Sequence, residues 1–305
     1  MGKTVFVDLT HPFGAEIPRW PYFDKPEIVG AHSMAKGGVL TQRITCTMHT
    51  GTHCDAPRHV MEYEFDGRRA RYSDEMPIDA YTGTAVVLKI DIEPWGLITD
   101  KHLDAACEKY GVNQADLEGK IVCLNTGMHR LFDDSKAYYH YSAGTGVEAG
   151  KWFVKNKVKC VAMDSQALDH PLHTAMSRNG MTRMDLLGQS GDTIINEYKM
   201  LFGEEAWAEF DKFDYIKLHG QAAYDEKFGD LDMIPPGVWF RFNCFPLRWY
   251  MGDGSMARCS AEIDEDLLLD VPTRTYKYGG TGYGDKEGNG DSGLEYIQKL
   301  FNRNK

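Results

Sequence analysis

Between Thr84 and Asp164 the chain alternates short apolar runs with longer amphipathic ones, an order that suits a sheet crossed by helices. Thr84 to Ile92 (TAVVLKIDI) and Lys120 to Asn125 (KIVCLN) read as buried strands. Between them, a helix capped near Thr99 or Asp100 places Leu103, Ala106, Cys107 and Tyr110 on one face and stops at Gly111. Gly146 to Lys157 reads as a second helix, and Val158 to Asp164 (VKCVAMD) as the strand that follows. Strand, helix, strand, helix, strand is the signature of an α/β domain.

The flanking segments are less regular. Val39 to His49 alternates, with Ile44, Cys46 and Met48 on one side and Thr45, Thr47 and His49 on the other, as a half-buried strand would. Val238 to Pro246 and Ala257 to Ile263 read as late strands. Residues 177–218 are more polar, with Ile195, Tyr198, Phe202, Trp207 and Phe210 at helical intervals, and read as a helical insertion or lid in a domain covering 1–270. Residues 271–305 form a Gly-rich arm ending in a short amphipathic stretch (Leu294, Ile297, Leu300). No strand precedes those glycines and no Lys-Ser/Thr follows, so a flexible arm packing on a partner subunit is a better reading than a phosphate cradle.

Composition narrows the function. The 305 residues carry 34 Lys+Arg against 45 Asp+Glu, a net charge of −11, which argues against nucleic-acid partners, since these call for a net basic face. Aromatics at 12% and hydrophobic residues at 42% argue against a disordered chain. The seven cysteines (46, 54, 107, 123, 160, 244, 259) are scattered and never form C-x-x-C, which suits reduced thiols better than a disulfide scaffold or a cysteine zinc site. No apolar run approaches the roughly 20 residues that span a bilayer. The N-terminus lacks a signal-peptide core, and Phe6 breaks the myristoylation pattern. A cytoplasmic protein without membrane contact is the expectation.

The chemistry is concentrated in His49-Thr-Gly-Thr-His53-Cys-Asp55-Ala-Pro57-Arg-His59. Gly51, two β-branched threonines and Pro57 disfavour a helix here. A strand end entering a tight loop aims His53 and Asp55 to the same side. Two imidazoles and a carboxylate form an N/N/O set for Zn²⁺ or Mn²⁺, with the remaining position left open as in catalytic sites. An isolated loop histidine is usually a surface residue, but four potential ligands compressed beside Gly and Pro are far rarer. His59, four residues beyond Asp55, is placed to act as general base or acid. Ser165 and Ser255 lack a G-x-S-x-G elbow. Alternation turns Cys54 away from His53 and Asp55, as a buried small residue. Trp20, Trp95, Trp207 and Trp239 each read first as packing residues.

This motif resembles H-x-G-T-H-x-D-x-P-x-H, the signature of the cyclase-like metal-dependent hydrolases, a family that includes bacterial kynurenine formamidase (arylformamidase) and isatin hydrolase. Every fixed position from His49 to His59 matches. Asp8-Leu-Thr-His11 with Trp20-Pro21, Asn125-Thr-Gly127, Ala162-Met-Asp164-Ser165, Glu226 to Gly237, Pro246-Leu247 and Gly252-Asp-Gly-Ser255-x-x-Arg258 resemble further family segments, so the likeness covers roughly residues 5 to 265.

The resemblance implies a swivelling β/β/α fold, in which a mixed sheet curls towards a barrel between flanking helices. It implies His49, His53 and Asp55 as metal ligands, His59 as the catalytic histidine and Trp20 as a substrate-side residue. In two-metal members a later histidine and a glutamate hold a second ion; Glu226 fits the glutamate, and His173 is preferred over His170 and His219. Lys227 and Phe228 replace the usual Asn and Leu beside Glu226. The implied activity is metal-activated water cleaving an aryl formamide or a small cyclic amide or imide, with one or two divalent ions per subunit. The alternatives are a lactone hydrolase, a cyclising dehydratase, or a metal-stabilised binding protein. A homodimer or homotetramer acting on a small aromatic or cyclic amide is the expected assembly and substrate.

Overall fold

The structure, a computed structural model, describes residues 2–20, 23–64, 66–132, 136–139, 141–171, 199–205, 231–271 and 302. The C-terminal arm with Leu294, Ile297 and Leu300, most of the 177–218 insertion, and His173, Trp207, His219 and Glu226 lie outside these residues.

The apolar runs read from sequence form the middle of a six-stranded mixed sheet. Its strands are β1 (Thr4–Asp8), β5 (Gly83–Lys89), β7 (Ile121–Asn125), β9 (Cys160–Met163), β10 (Trp239–Cys244) and β12 (Cys259–Asp264), in the order β1-β12-β10-β5-β7-β9. β5, β7 and β9 pair in parallel, because helices α2 (Asp100–Tyr110) and α4 (Val147–Lys155) carry the chain back between them. β10, β12 and β1 add antiparallel strands on the other side. The order runs from edge β1 to edge β9, so among the described residues the sheet is mixed and forms no closed barrel. α1 (Met34–Gly37) and α3 (Lys136–Tyr139) are single turns.

Period-2 alternation sorts the core. Val86, Leu88, Val122, Leu124, Val161 and Met163 face α2 and α4, meeting Leu103, Ala106, Trp152 and Phe153. The intervening Ala85, Val87, Ile121, Cys123 and Ala162 point to the opposite side and pack with Phe240, Phe242, Leu231 and Ile234. Cys54 and Tyr81 belong to this second layer, which ties the motif loop to the sheet. Thr99 and Gly111 bound α2 as expected, Gly111 in the left-handed conformation at φ 66°.

One sequence expectation needs correction. The strand expected over Val39 to His49 is only β3 (Thr41–Thr45), paired with β2 (Glu27–His32) in a two-stranded ribbon. Every β3 residue is exposed, Ile44 included at 55%, because among the described residues the ribbon pairs with no further strand. The chain turns inward only after Thr45, and burial begins at His49. Within the insertion, residues 199–202 are helical, and the Phe202 ring meets the buried Trp95 at 6.2 Å.

Candidate metal centre

The motif folds as a turn, a short strand and a 3-10 turn. Gly51 takes φ 74°, a left-handed value open to glycine, and a Cβ there would press on Phe13 and Ile17 at 3.3 Å. Beyond it, β4 (His53–Asp55) pairs antiparallel with β11 (Gly254–Met256), with Asp55 opposite Gly254. Tyr81 donates its hydroxyl to the Asp55 carbonyl at 3.2 Å, and Cys54 sinks into the core at 1% exposure, facing away from the ligands as alternation requires. Pro57 opens a 3-10 turn that ends at His59.

His49, His53 and Asp55 are all buried, and their ligand atoms lie within 4.8 Å of one another. His49 Nδ1 is 2.6 Å from Asp55 Oδ1, and His53 Nε2 is 3.5 Å from the same oxygen. A tetrahedral ion about 2.0–2.1 Å from each ligand calls for ligand atoms about 3.3 Å apart, so the His53–Asp55 pair is already spaced for one. The His49–Asp55 pair instead shares a proton that a cation would displace.

The outer nitrogens are held as well. His53 Nδ1 donates to the Gly51 carbonyl at 2.9 Å, and His49 Nε2 donates to Asp253 Oδ2 at 2.9 Å. Outer partners of this kind fix the orientation of ligating imidazoles. The donor set therefore fits a divalent cation.

His59 stands beside this trio rather than in it. Its ring centre is 3.9 Å from that of His49, it faces solvent more than the trio does, and Nδ1 is 3.4 Å from Asp253 Oδ2. Asp253 therefore bonds His49 and the candidate base His59 together. Sequence reading assigned no role to this residue. The Gly252-Asp-Gly-Ser255 block was visible only as a resemblance, and the β4–β11 pairing is what brings it to the site. Gly254 beside it is obligatory for packing, since a Cβ would sit 2.5 Å from His49 Cε1.

Electrostatics follow from these contacts. Burial disfavours a charged His49, but hydrogen bonds to Asp253 and Asp55 outweigh it and push its pKa up to about 9. Burial likewise opposes ionisation of Asp55, yet hydrogen bonds from His49 and His53 hold its carboxyl well below the usual range. Hydrogen bonds from His49 and His59 hold Asp253 well below it too.

The other candidates are spoken for. His170, the rival later ligand within the described residues, is fully buried and donates Nε2 to the Trp95 carbonyl at 2.9 Å. Ser165 Oγ donates to the Ala143 and Ala167 carbonyls, and Ser255 Oγ accepts the Leu247 N–H. Trp95 is fully buried and Trp239 lies in β10. Trp20 lines a narrow cleft with His49, Gly51, Phe132, Tyr139 and Gln166.

The model of the putative cyclase family matches residues 7–170, from β1 through the motif to the end of the parallel strands. This chain belongs to the putative cyclase family. Among cyclase-family relatives, kynurenine formamidase of Bacillus cytotoxicus is 30% identical over 132 residues, which is 42% of this chain and 54% of that protein. The match thus spans about half of that relative's length. Cyclase-like protein 3 of Oryza sativa subsp. japonica is 23% identical over 261 residues, 83% of this chain and 78% of that one. Isatin hydrolase A from Labrenzia aggregata, solved with benzyl benzoate, shares the fold at a TM-score of 0.62 and 18% identity, covering 86% of this chain and 94% of that one. Isatin hydrolase A from Ralstonia solanacearum aligns at 0.62 and 19% identity, over 85% and 92%. Among the described residues, no helix of this cyclase-family chain is long and apolar enough to cross a membrane.

Proposed function

We propose that this chain is a metal-dependent hydrolase that cleaves a small amide, an aryl formamide or a cyclic amide or imide, using His49, His53 and Asp55 as ligands and His59 as general base and acid. The observation that carries the reading is the position of His59: a third histidine, outside the buried trio but 3.9 Å from His49 by ring centres and held by Asp253. A metal site that only stabilises the fold has no use for such a residue, which tells against the binding-protein alternative. The names of the relatives, kynurenine formamidase and isatin hydrolase, support the amide reading.

A divalent ion bound by the trio would supply Lewis acidity and lower the pKa of a coordinated water from 15.7 towards about 7. Asp253 orients His49 through Nε2 and fixes the His59 ring through Nδ1, leaving Nε2 of His59 to take a proton from the attacking water and return it to the leaving nitrogen. The aromatic walls at Trp20, Phe132 and Tyr139 shield that side of the site from water. Zn²⁺ and Mn²⁺ both suit the donor set, a second ion held by His173 and Glu226 remains part of the proposal, and a cytoplasmic homodimer or homotetramer is its setting.

The test pairs metal analysis of the purified chain with hydrolysis of N-formylkynurenine and isatin, followed at their near-ultraviolet bands. Stoichiometric metal with turnover of one of them is the expected result. Stoichiometric metal with no turnover of any amide or imide in a wider panel would sink the reading, and turnover confined to lactones would favour the lactonase alternative.

A further inference from the structure

Gln166 follows β9 by three residues, at the carboxyl end of a parallel strand, where ligand sites in open α/β sheets gather. Its neighbours are pinned. Asp164 accepts the N–H groups of Thr126 and Gly127 at 2.9 and 2.7 Å, and Ser165 bonds the Ala143 and Ala167 carbonyls. Gln166 itself is 2% exposed, and its Nε2 has no hydrogen-bond partner among the described residues. A buried amide left in this state costs folding free energy, so it needs an explanation at the site where it occurs. That site is the cleft shared with the ligand His49, walled by Trp20, Phe132, Tyr138 and Tyr139. The cleft is narrow, with a volume of about 10 Å³, so it meets the polar edge of a ligand and leaves the ring outside.

We propose that Gln166 is the specificity-determining residue of this site and that it recognises a cis amide, the N–H and C=O edge of a lactam or imide. A primary carboxamide presents a donor and an acceptor side by side. Nε2 donates to the substrate carbonyl oxygen while Oε1 accepts the adjacent N–H, and the paired contact sets the carbonyl beside the metal ligand His49. A lactone offers a ring oxygen where the N–H would be, which opposes Oε1, and a carboxylate has no donor at all. A site built to bond an N–H rejects analogues lacking it far more strongly than an apolar pocket does. The inference rests on the hydrolase reading for its catalytic meaning, but recognition is measurable apart from turnover.

The experiment is calorimetric binding to the metal-loaded full chain of isoindolin-1-one, a lactam, and phthalide, the lactone of the same ring. The wild type should bind the lactam tighter by about tenfold or more. Gln166→Leu, which keeps the volume, should remove that preference by weakening lactam binding and leave phthalide within about threefold. Gln166→Glu, which keeps an acceptor and loses the donor, checks that the loss is not a packing defect, and metal content reports that each variant is folded at the site. Equal binding of the two ring compounds by the wild type, no binding of either, or parallel loss of both in Gln166→Leu, would overturn the proposal. If the lactam preference depends on Gln166 but no amide is turned over, the hydrolase reading falls and the recognition site stands. If amides are hydrolysed equally by wild type and Gln166→Leu, the hydrolase reading stands and this proposal falls.

Discussion

Asp253 Oδ2 lies 2.9 Å from His49 Nε2 and 3.4 Å from His59 Nδ1, so one carboxylate from β11's approach holds both a candidate metal ligand and the candidate base. Its backbone carbonyl accepts the Ala56 N–H at 2.9 Å, which locks this carboxylate against the motif strand.

Removing that carboxylate should loosen the metal. Asp253→Ala is expected to lower divalent-ion affinity by about 10–100-fold, the usual cost of losing an outer partner of a ligating histidine. Asp253→Asn keeps an acceptor without the charge and should fall between. Chelator competition measures both, and an unchanged affinity in Asp253→Ala would show that His49 is oriented by packing alone.

Gly254→Ala should disturb the same histidine from below. The new Cβ would lie 2.5 Å from His49 Cε1 and 2.9 Å from the Cys54 carbonyl oxygen, and the backbone oxygen has little freedom to yield. Overpacking of this kind costs about 1–3 kcal/mol. Urea denaturation should report that loss, and metal titration a weakened site.

Metal affinity should rise with pH. In the metal-free protein His49 keeps its proton up to about pH 9, held by Asp253 and Asp55. A cation must displace that proton, so below pH 9 apparent affinity should increase by up to about tenfold per pH unit and level off above it. Calorimetry in buffers of different ionisation enthalpy would count the proton released; a pH-independent affinity would contradict the shared-proton geometry.

His59→Ala and Asp55→Ala should separate chemistry from binding. The first should keep the metal and lose about 10²–10⁴-fold in turnover of the substrate found. The second should lose the metal itself, together with the backbone order around β4. Elemental analysis beside a rate assay distinguishes them, and retained turnover in His59→Ala would reassign the base.

A second buried ionic group sets a stability window. His129 is 1% exposed and bridges Asp164, at 2.6 Å from Nδ1, and Asp232, at 3.0 Å from Nε2; Arg130 and Asn125 also bond Asp232. Burial pulls the His129 pKa down, but the two carboxylates outweigh it and raise it. Burial pushes Asp164 and Asp232 up, and His129 outweighs it, so both are depressed. The raised histidine contributes stability that is complete below its unfolded pKa of about 6.5 and is lost as pH climbs through the folded value. The depressed aspartates contribute stability that is complete above about 3.9 and is lost as pH falls through their folded values. The clamp should therefore be fully effective between about pH 4 and 6.5. His129→Leu strands two buried carboxylates and should cost roughly 3–5 kcal/mol in that window, and less at alkaline pH. Denaturant midpoints at pH 5.5 and 9 test this; an equal loss at both would remove the charge from the explanation.

The sequence was most legible where structure is local. Val86 and Leu88 against Ala85 and Val87 announce two faces of a buried strand, and Thr99 and Gly111 mark their helix, because period and caps are set by neighbouring residues. The same reasoning failed at Val39 to His49, where alternation was real but the ribbon it formed has no sheet behind it among the described residues, leaving Ile44 exposed. Alternation says which residues share a side, not whether anything covers that side.

The candidate ligand trio follows the same division. His49, His53 and Asp55 span seven residues of chain, and Gly51 with a short strand is enough to converge them, so their clustering was readable from the motif alone. Asp253 and Gln166 were not, being 204 and 117 positions beyond His49. They arrive through the antiparallel pairing of Gly254 with Asp55 and through the parallel stacking of β9 on β7. Those pairings are driven by burying Cys54, Ala162 and their neighbours in one layer, a free energy summed over the whole core with no local trace in the sequence. The eleven-residue motif thus specified which atoms can hold a metal, while the packed sheet supplied the carboxylate that orients them and the amide that faces the cleft.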